Sequence, residues 1–387
     1  MSSTSPGRSS THAGRRIRSI DLFAVASLSA VLAAGGTYGL VSVGDDGPVV
    51  SAPGQSIDSA KDDPSNATPA SITGDLNWTG VADQVAPSVV SIQVLTANGG
   101  GEGSGVVWDD AGHIVTNAHV VDGGQEVRVT LNDGRSYPAE ITGSDPSTDL
   151  AVLQLSDIPE GLTPIDIGDD QALNVGSPVM AIGNPLGLSG TVTTGIVSAM
   201  DRPVSTAPTS NDPNSGAVTN AIQTSAAINP GNSGGALVDG SGRLIGINSA
   251  IASLPSASGE TSGNIGIGFA IPMATANGII DQLIDGGVAE HAFLGVSLTS
   301  GEGITGGAVL TGAEVTSVEP GSPAAGGDLQ AGDVIVSIDG ERVGSSTALV
   351  AQVRERAAGS EAQIGYLRNG ETAEVVVTLD TRPDTGG

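Results

Sequence analysis

Cysteine is absent from this 387-residue chain. Disulfides, thiol nucleophiles and cysteine-ligated metals are therefore excluded, and the redox compartment is left open. Aromatic residues make up only 2% of the chain, so its cores must be built from Val, Ile, Leu and Ala. Basic side chains are scarce too: 14 Lys and Arg stand against 42 Asp and Glu, a formal net charge of −28. A surface of that sign repels phosphate backbones, so nucleic acid is not an expected partner. Solubility is the simpler consequence of the acidity. Histidine occurs only at His12, His113, His119 and His291, which keeps the choice of imidazole bases short.

What is present favours β-structure. Hydrophobic residues reach 38%, enough for cores, and 58 Gly and 21 Pro punctuate many short Val/Ile runs. The length suggests two or three domains. Residues 1–21 form a Ser-rich tail carrying Arg8, Arg15, Arg16 and Arg18. An uncharged run follows over 22–44. As a helix it would be about 35 Å long, enough to span a bilayer. The basic flank keeps the N-terminal end cytoplasmic and sends the remainder across the cell membrane. The competing reading is a cleaved signal peptide, with Ala33, Ala34, Gly35 and Gly36 near the cut. Signal-peptide apolar regions usually run about 7–15 residues, so the longer run favours an uncleaved anchor. Residues 45–77, rich in Asp, Ser, Pro, Gly and Ala, cannot bury enough apolar surface to fold and read as a disordered linker.

The stretch Asn229-Pro230-Gly231-Asn232-Ser233-Gly234-Gly235 sets a serine among glycines. Glycine permits close backbone approach and positive φ. One reading is a nucleophile loop. Ser233 would attack a carbonyl, and Gly231, Asn232 and Ser233 would frame the oxyanion pocket through the N–H groups of Gly231 and Ser233. The other reading is a Gly/Ser turn between strands. A serine nucleophile needs a base within reach. His12 lies in the basic tail and His291 in an expected linker. His113 opens a strand beside the turn Asp109-Asp110-Ala111-Gly112, which predicts a surface position. His119 ends an apolar strand and is either the base or a core histidine satisfied by backbone. Asp145 precedes Pro146 and reads as a turn residue. Asp149 starts a buried strand, where a carboxylate needs a partner; it is a strand-end cap or the group that orients the base.

Taken together, the order His119, Asp149, Ser233 is the chymotrypsin order, not that of subtilisin or the α/β-hydrolases. Here the sequence resembles the HtrA/Deg family of serine proteases. The resemblance rests on Thr116-Asn117-Ala118-His119-Val120-Val121, Asp149-Leu150-Ala151-Val152-Leu153, Gln223-Thr224, Ala226 to Gly235, and Gly263 to Pro272. Ser225 departs from it, standing where the family usually has Asp. The resemblance implies a mainly β fold: two six-stranded β-barrels over 78–290, with His119 and Asp149 from the first barrel and Ser233 from the second. The expected activity is an extracytoplasmic serine endopeptidase acting on misfolded or regulatory envelope proteins, without metal or cofactor. A non-catalytic chaperone or stress-sensing scaffold on the same fold is the alternative. Ala227 occupies the position whose acidic residue gives trypsin-like enzymes their basic preference, and Ile228 and Ile267 are implied to narrow the pocket. Cleavage after small aliphatic residues is the expectation.

Smaller features complete the reading. Val81 to Val85 predicts a helical turn stopped by Pro87, and Gly99 to Gly105 a flexible glycine loop. Residues 203–217, polar and rich in Pro and Ser, predict a surface loop that is either regulatory or merely tolerated. After Pro272, the spacing of Met273, Ile279, Ile280, Leu283 and Ile284 predicts a helix ended by Gly286-Gly287. Residues 291–381 resemble a PDZ domain, with a strand opening at Phe293-Leu294-Gly295-Val296 and a helix over Thr347 to Ala357. The resemblance implies that Phe293, Leu294, Gly295 and Val296 capture the C-terminal carboxylate of a peptide. Asp328 departs from it, where Gly is usual. A homotrimer is implied in the same way.

Overall fold

The computed structural model describes residues 76–97, 99–184, 190–205, 216–250 and 266–382, all within the compact unit Ile72–Gly387. The expected anchor over 22–44, most of the linker and most of the 203–217 loop lie outside the described residues. Among the described residues no helix is long and apolar enough to cross a membrane.

Helix α1 (Trp78–Val85) leads into a short 3-10 turn containing Pro87. The first barrel follows: β1 (Val89–Thr96), β2 (Gly99–Val107), β3 (His113–Thr116), helix α2 (Ala118–Val121), β4 (Gly124–Thr130), β5 (Ser136–Asp145) and β6 (Leu150–Leu155). Its strands close in the order β1-β2-β3-β6-β5-β4. The second barrel is built from β7 (Pro178–Gly183), β8 (Thr191–Ser205), β9 (Val218–Thr224), β10 (Ala236–Asp239), β11 (Leu244–Ser249) and β12 (Gly268–Pro272), closed in the order β10-β11-β12-β9-β8-β7. Closure removes sheet edges and lets short strands with little aromatic content form a stable core.

Alternation along the strands explains how two barrels become one body. In β6, Ala151, Leu153 and Leu155 fill the first barrel, while Leu150 and Val152 face the second. That two-sided burial is why β6 reads as a continuous apolar run. Met180, Ile182, Leu244 and Ile247 meet them from the second barrel. Helix α3 (Met273–Gly286) adds Ile279, Ile280 and Leu283 to the same cluster, and Gly287 ends it at φ 73° with its N–H on the Leu283 carbonyl at 3.1 Å.

One expectation is corrected here. The glycine-rich run is not a flexible loop but strand β2. A Cβ at Gly103 would lie 2.6 Å from Val120, and one at Gly105 2.7 Å from Ile114. These glycines make room for neighbouring side chains; flexibility is not their use.

The last module comprises β13 (Ala292–Phe293), β14 (Val296–Thr305), β15 (Ala308–Val318), helix α4 (Pro323–Gly326), β16 (Val334–Ile338), β17 (Glu341–Arg342), helix α5 (Ser346–Arg354), β18 (Glu361–Arg368), β19 (Glu371–Thr378) and β20 (Asp380–Thr381). Its main sheet runs β14-β15-β16-β18-β19, with β17 on β16, and β13 pairs with β20. The expected strand from Phe293 is therefore broken: Phe293 ends β13, and the long strand begins at Val296. Asp328 adopts φ 55°, a left-handed turn that Asp tolerates better than most residues. Leu349 and Val353 of α5 pack into this module's own core.

Candidate active site

His119 does not end a strand. It lies on α2, a single turn entered through Asn117 in extended conformation. The turn carries the imidazole to Asp149, with Nδ1 at 2.8 Å from Oδ1 and 3.0 Å from Oδ2. An ionised carboxylate only accepts, so this contact puts the proton on Nδ1 and leaves Nε2 as an acceptor. The Asp149 carboxylate also accepts the His119 backbone N–H at 3.2 Å and the Ser249 hydroxyl at 3.0 Å. The Asn117 side-chain amide donates to the Asp149 carbonyl at 2.9 Å. Asp149 is 5% exposed and holds φ 62°, so these bonds both satisfy a buried carboxylate and keep a left-handed backbone in place.

Ser233 is also 5% exposed. Its Oγ accepts the Ala250 N–H at 3.2 Å, which leaves its own proton available to donate. Ser249 and Ala250 are consecutive, so the end of β11 holds Asp149 with one residue and Ser233 with the next. That short link joins the first-barrel pair to the second-barrel serine.

The loop before Ser233 is fixed peptide by peptide. Asn232 N–H donates to Asn229 O and Gly235 N–H to Asn232 O, both at 3.0 Å. Gly234 N–H donates to Asn248 O at 2.9 Å. Gly231 and Gly234 sit at φ 104° and 80°, conformations that favour glycine. Among the described residues, the N–H groups of Gly231 and Ser233 have no acceptor. Asn232, expected in the same loop, differs from these two: its backbone N–H is used inside the loop, and its side chain donates to Ala227 O at 3.4 Å. The Thr193 hydroxyl donates to the same carbonyl at 2.8 Å. Ala227 and Ile267 are half-buried, and Ile228 is buried at 5%.

Models of known families match this arrangement. A trypsin-like peptidase domain matches residues 103–247 and a PDZ domain residues 292–379. Serine protease PepD of Mycobacterium tuberculosis is 42% identical over 344 residues, covering 86% of this chain and 70% of PepD. Among solved structures, the HtrA-type protease AlgW with tripeptide is 36% identical with a TM-score of 0.61, covering 79% of this chain and 97% of that one. The chain belongs to the HtrA family of serine proteases. Periplasmic serine endoprotease DegP of Escherichia coli is 42% identical over 294 residues, 73% of this chain but only 59% of DegP. This HtrA-family chain thus spans less than two thirds of DegP.

The other two histidines among the described residues of this HtrA-family chain have carboxylate partners elsewhere. His113 is half-buried, with Nδ1 at 2.6 Å from Asp109 Oδ2. His291, expected in a linker, pairs with Asp145, which accepts the Ser147 N–H at 3.1 Å as expected of a turn residue. Both are buried, with Nε2 at 3.0 Å from Asp145 Oδ2. Burial works to raise the Asp145 carboxyl; the hydrogen bond and charge of His291, with the Thr148 and Ser147 hydroxyls, outweigh it and hold the pKa below the usual range. This pair braces the turn that delivers Asp149. The PDZ helix braces it as well, since the Arg354 guanidinium donates to Ser147 O at 2.8 Å.

Three supporting residues escaped sequence reasoning: Asn117, Ser249 and Ser104. Asn117 and Ser249 are polar residues beside apolar strands, the only signal either gives. Ser104 is hidden in the glycine run. In the PDZ domain, the carbonyls of Leu294 and Gly295 accept the N–H groups of Ala324 and Glu319, both at 2.9 Å. Gly295 holds φ 80°, with no room for a side chain against Ser322. Beside it, β14 is an edge strand of its sheet.

Proposed function

We propose that Ser233 is the nucleophile of an endopeptidase, His119 its general base and then acid, and Asp149 the group that orients the imidazole. His119 Nε2 takes the Ser233 proton as Oγ attacks the substrate carbonyl. The tetrahedral oxyanion faces the N–H groups of Gly231 and Ser233, each such donor being worth about 10²–10³-fold in rate. His119 then protonates the leaving amine, and water releases the acyl-enzyme by the same steps. The observation that carries this reading is the bonded pair His119–Asp149, joined to Ser233 through Ser249 and Ala250.

Ala227, Ile228 and Ile267 offer no carboxylate to pair with Lys or Arg, which supports cleavage after Val, Ala or Ile. The expected substrates are unfolded or regulatory envelope proteins. Peptides ending in an apolar residue add to the free edge of β14, with their carboxylate at Phe293, Leu294, Gly295 and Val296. Structures of the relative AlgW with a tripeptide and with a decapeptide agree with this use. The chain is membrane-anchored through 22–44, extracytoplasmic and trimeric in this reading; periplasmic relatives support the compartment. Profiling a peptide library tests the specificity: aliphatic residues at the cleaved position are expected, and a profile dominated by Lys or Arg overturns it. Loss of all cleavage in Ser233→Ala is expected in the same assay.

A further inference from the structure

We propose that Ser104 is a positioning residue that sets the oxyanion pocket from the opposite barrel. The inference rests on Ser233 as the nucleophile and adds what holds its loop. Ser104 lies on β2, fully buried, and touches the loop at two carbonyls. Its hydroxyl donates to Gly231 O at 2.6 Å, and its backbone N–H donates to Ser233 O at 2.8 Å. Gly231 and Ser233 are the two residues whose N–H groups have no acceptor among the described residues. Ser104 therefore holds the carbonyl of each residue whose N–H faces the reacting oxygen.

The hydroxyl is itself oriented. It accepts the Asn184 N–H at 2.8 Å, so its single proton is committed to Gly231 O. The Ser104 carbonyl in turn accepts the Thr116 hydroxyl at 2.7 Å, three residues before His119. One side chain and its own peptide groups thus join β2, the end of β7, the strand leading to His119 and the nucleophile loop. The peptide between Gly231 and Asn232 is pinned at both ends, by Ser104 Oγ at its carbonyl and by Asn229 O at its N–H. Freeing the carbonyl end lets that peptide rotate about a glycine, which resists rotation least of all residues. Gly231 itself then loses its hold on β2, and its N–H, which lies in the preceding peptide, shifts with it. A donor's contribution depends on aim before the reaction starts, so misplacement raises the barrier without weakening substrate contacts elsewhere.

The test compares wild type, Ser104→Ala and Ser104→Cys on a fluorogenic peptide with valine at the cleaved position. Ser104→Cys introduces the chain's only cysteine and keeps size with a weak donor. The expected result for Ser104→Ala is a kcat lowered about 10- to 100-fold with KM within twofold, as for a donor loosened but not deleted. Affinity for a peptide boronate, whose tetrahedral adduct uses the same pocket, falls by the same factor. Ser104→Cys lies between the two. Should Ser104→Ala fail to fold, Ser104→Cys carries the test, with kcat at least fivefold below wild type and KM unchanged. A folded variant with kcat within twofold of wild type, or a loss confined to KM, overturns the inference. Wild type that fails to label with a fluorophosphonate would instead overturn the nucleophile assignment, so the two failures are distinct.

Discussion

Glu355, the residue that follows α5, makes the contact between PDZ domain and protease sensitive to pH. It accepts the Asn220 side-chain amide of β9 at 3.0 Å. Burial of the carboxylate against the barrel raises its pKa from 4.5 to about 7; Asn220 opposes the rise, Asp201 and Glu341 add to it, and Arg356 opposes it. Between those two pH values the docked domain holds a proton that the undocked one has released. Docking is therefore favoured at low pH and weakens as pH rises through about 7. A shift of that size corresponds to about 3 kcal/mol for a group sealed from water. Glu355 keeps an exposed surface, so solvent screening reduces the effect to on the order of 1 kcal/mol, about fivefold in the docking equilibrium. Hydrogen exchange at β9 and α5 between pH 5 and 8 is the assay, after correction for the intrinsic exchange rate. Wild type should lose protection as pH rises. Glu355→Gln, which fixes the neutral state, should keep it. Parallel pH slopes in the two proteins would refute the reasoning.

Other outcomes follow from the same contacts. Asp149→Asn should fold but lose about 10⁴-fold in kcat, because the amide favours the wrong imidazole tautomer; His113→Ala should cleave peptides at the wild-type rate. His291→Ala leaves the buried Asp145 carboxylate without its imidazole partner and should cost about 1–3 kcal/mol in urea unfolding. An apolar peptide with a free C-terminus should bind the PDZ domain and its amidated form should not. Equal binding of the two by calorimetry would remove the Phe293 to Val296 loop from the account.

The two barrels and the pairing of His119 with Asp149 could be read in advance because each is written locally. Turn residues separate short Val/Ile runs, and the motifs around His119, Asp149 and Ser233 are contiguous. The glycine run of β2 was misread because composition reports flexibility, whereas Gly103 and Gly105 are small so that Val120 and Ile114 can occupy their Cβ positions. The part Asn232 plays depends on where one N–H points, and a turn within the loop consumes it. His291 and Asp145 looked like a linker residue and a turn residue. Their burial arises only when the PDZ domain and the first barrel come together. Ser104, Ser249, Arg354 and Glu355 share that property: each acts on residues distant in sequence, which no periodicity encodes.

The central claim is that Ser233, activated by His119 and oriented by Asp149, forms a covalent bond to its substrate. Incubating the protein with a fluorophosphonate and mapping the adduct by mass spectrometry tests it most directly. The account predicts a single phosphonylated residue, Ser233, with labelling lost in Ser233→Ala and slowed by orders of magnitude in His119→Ala. An unlabelled wild-type protein that still cleaves peptides, or an adduct on another serine, would contradict it.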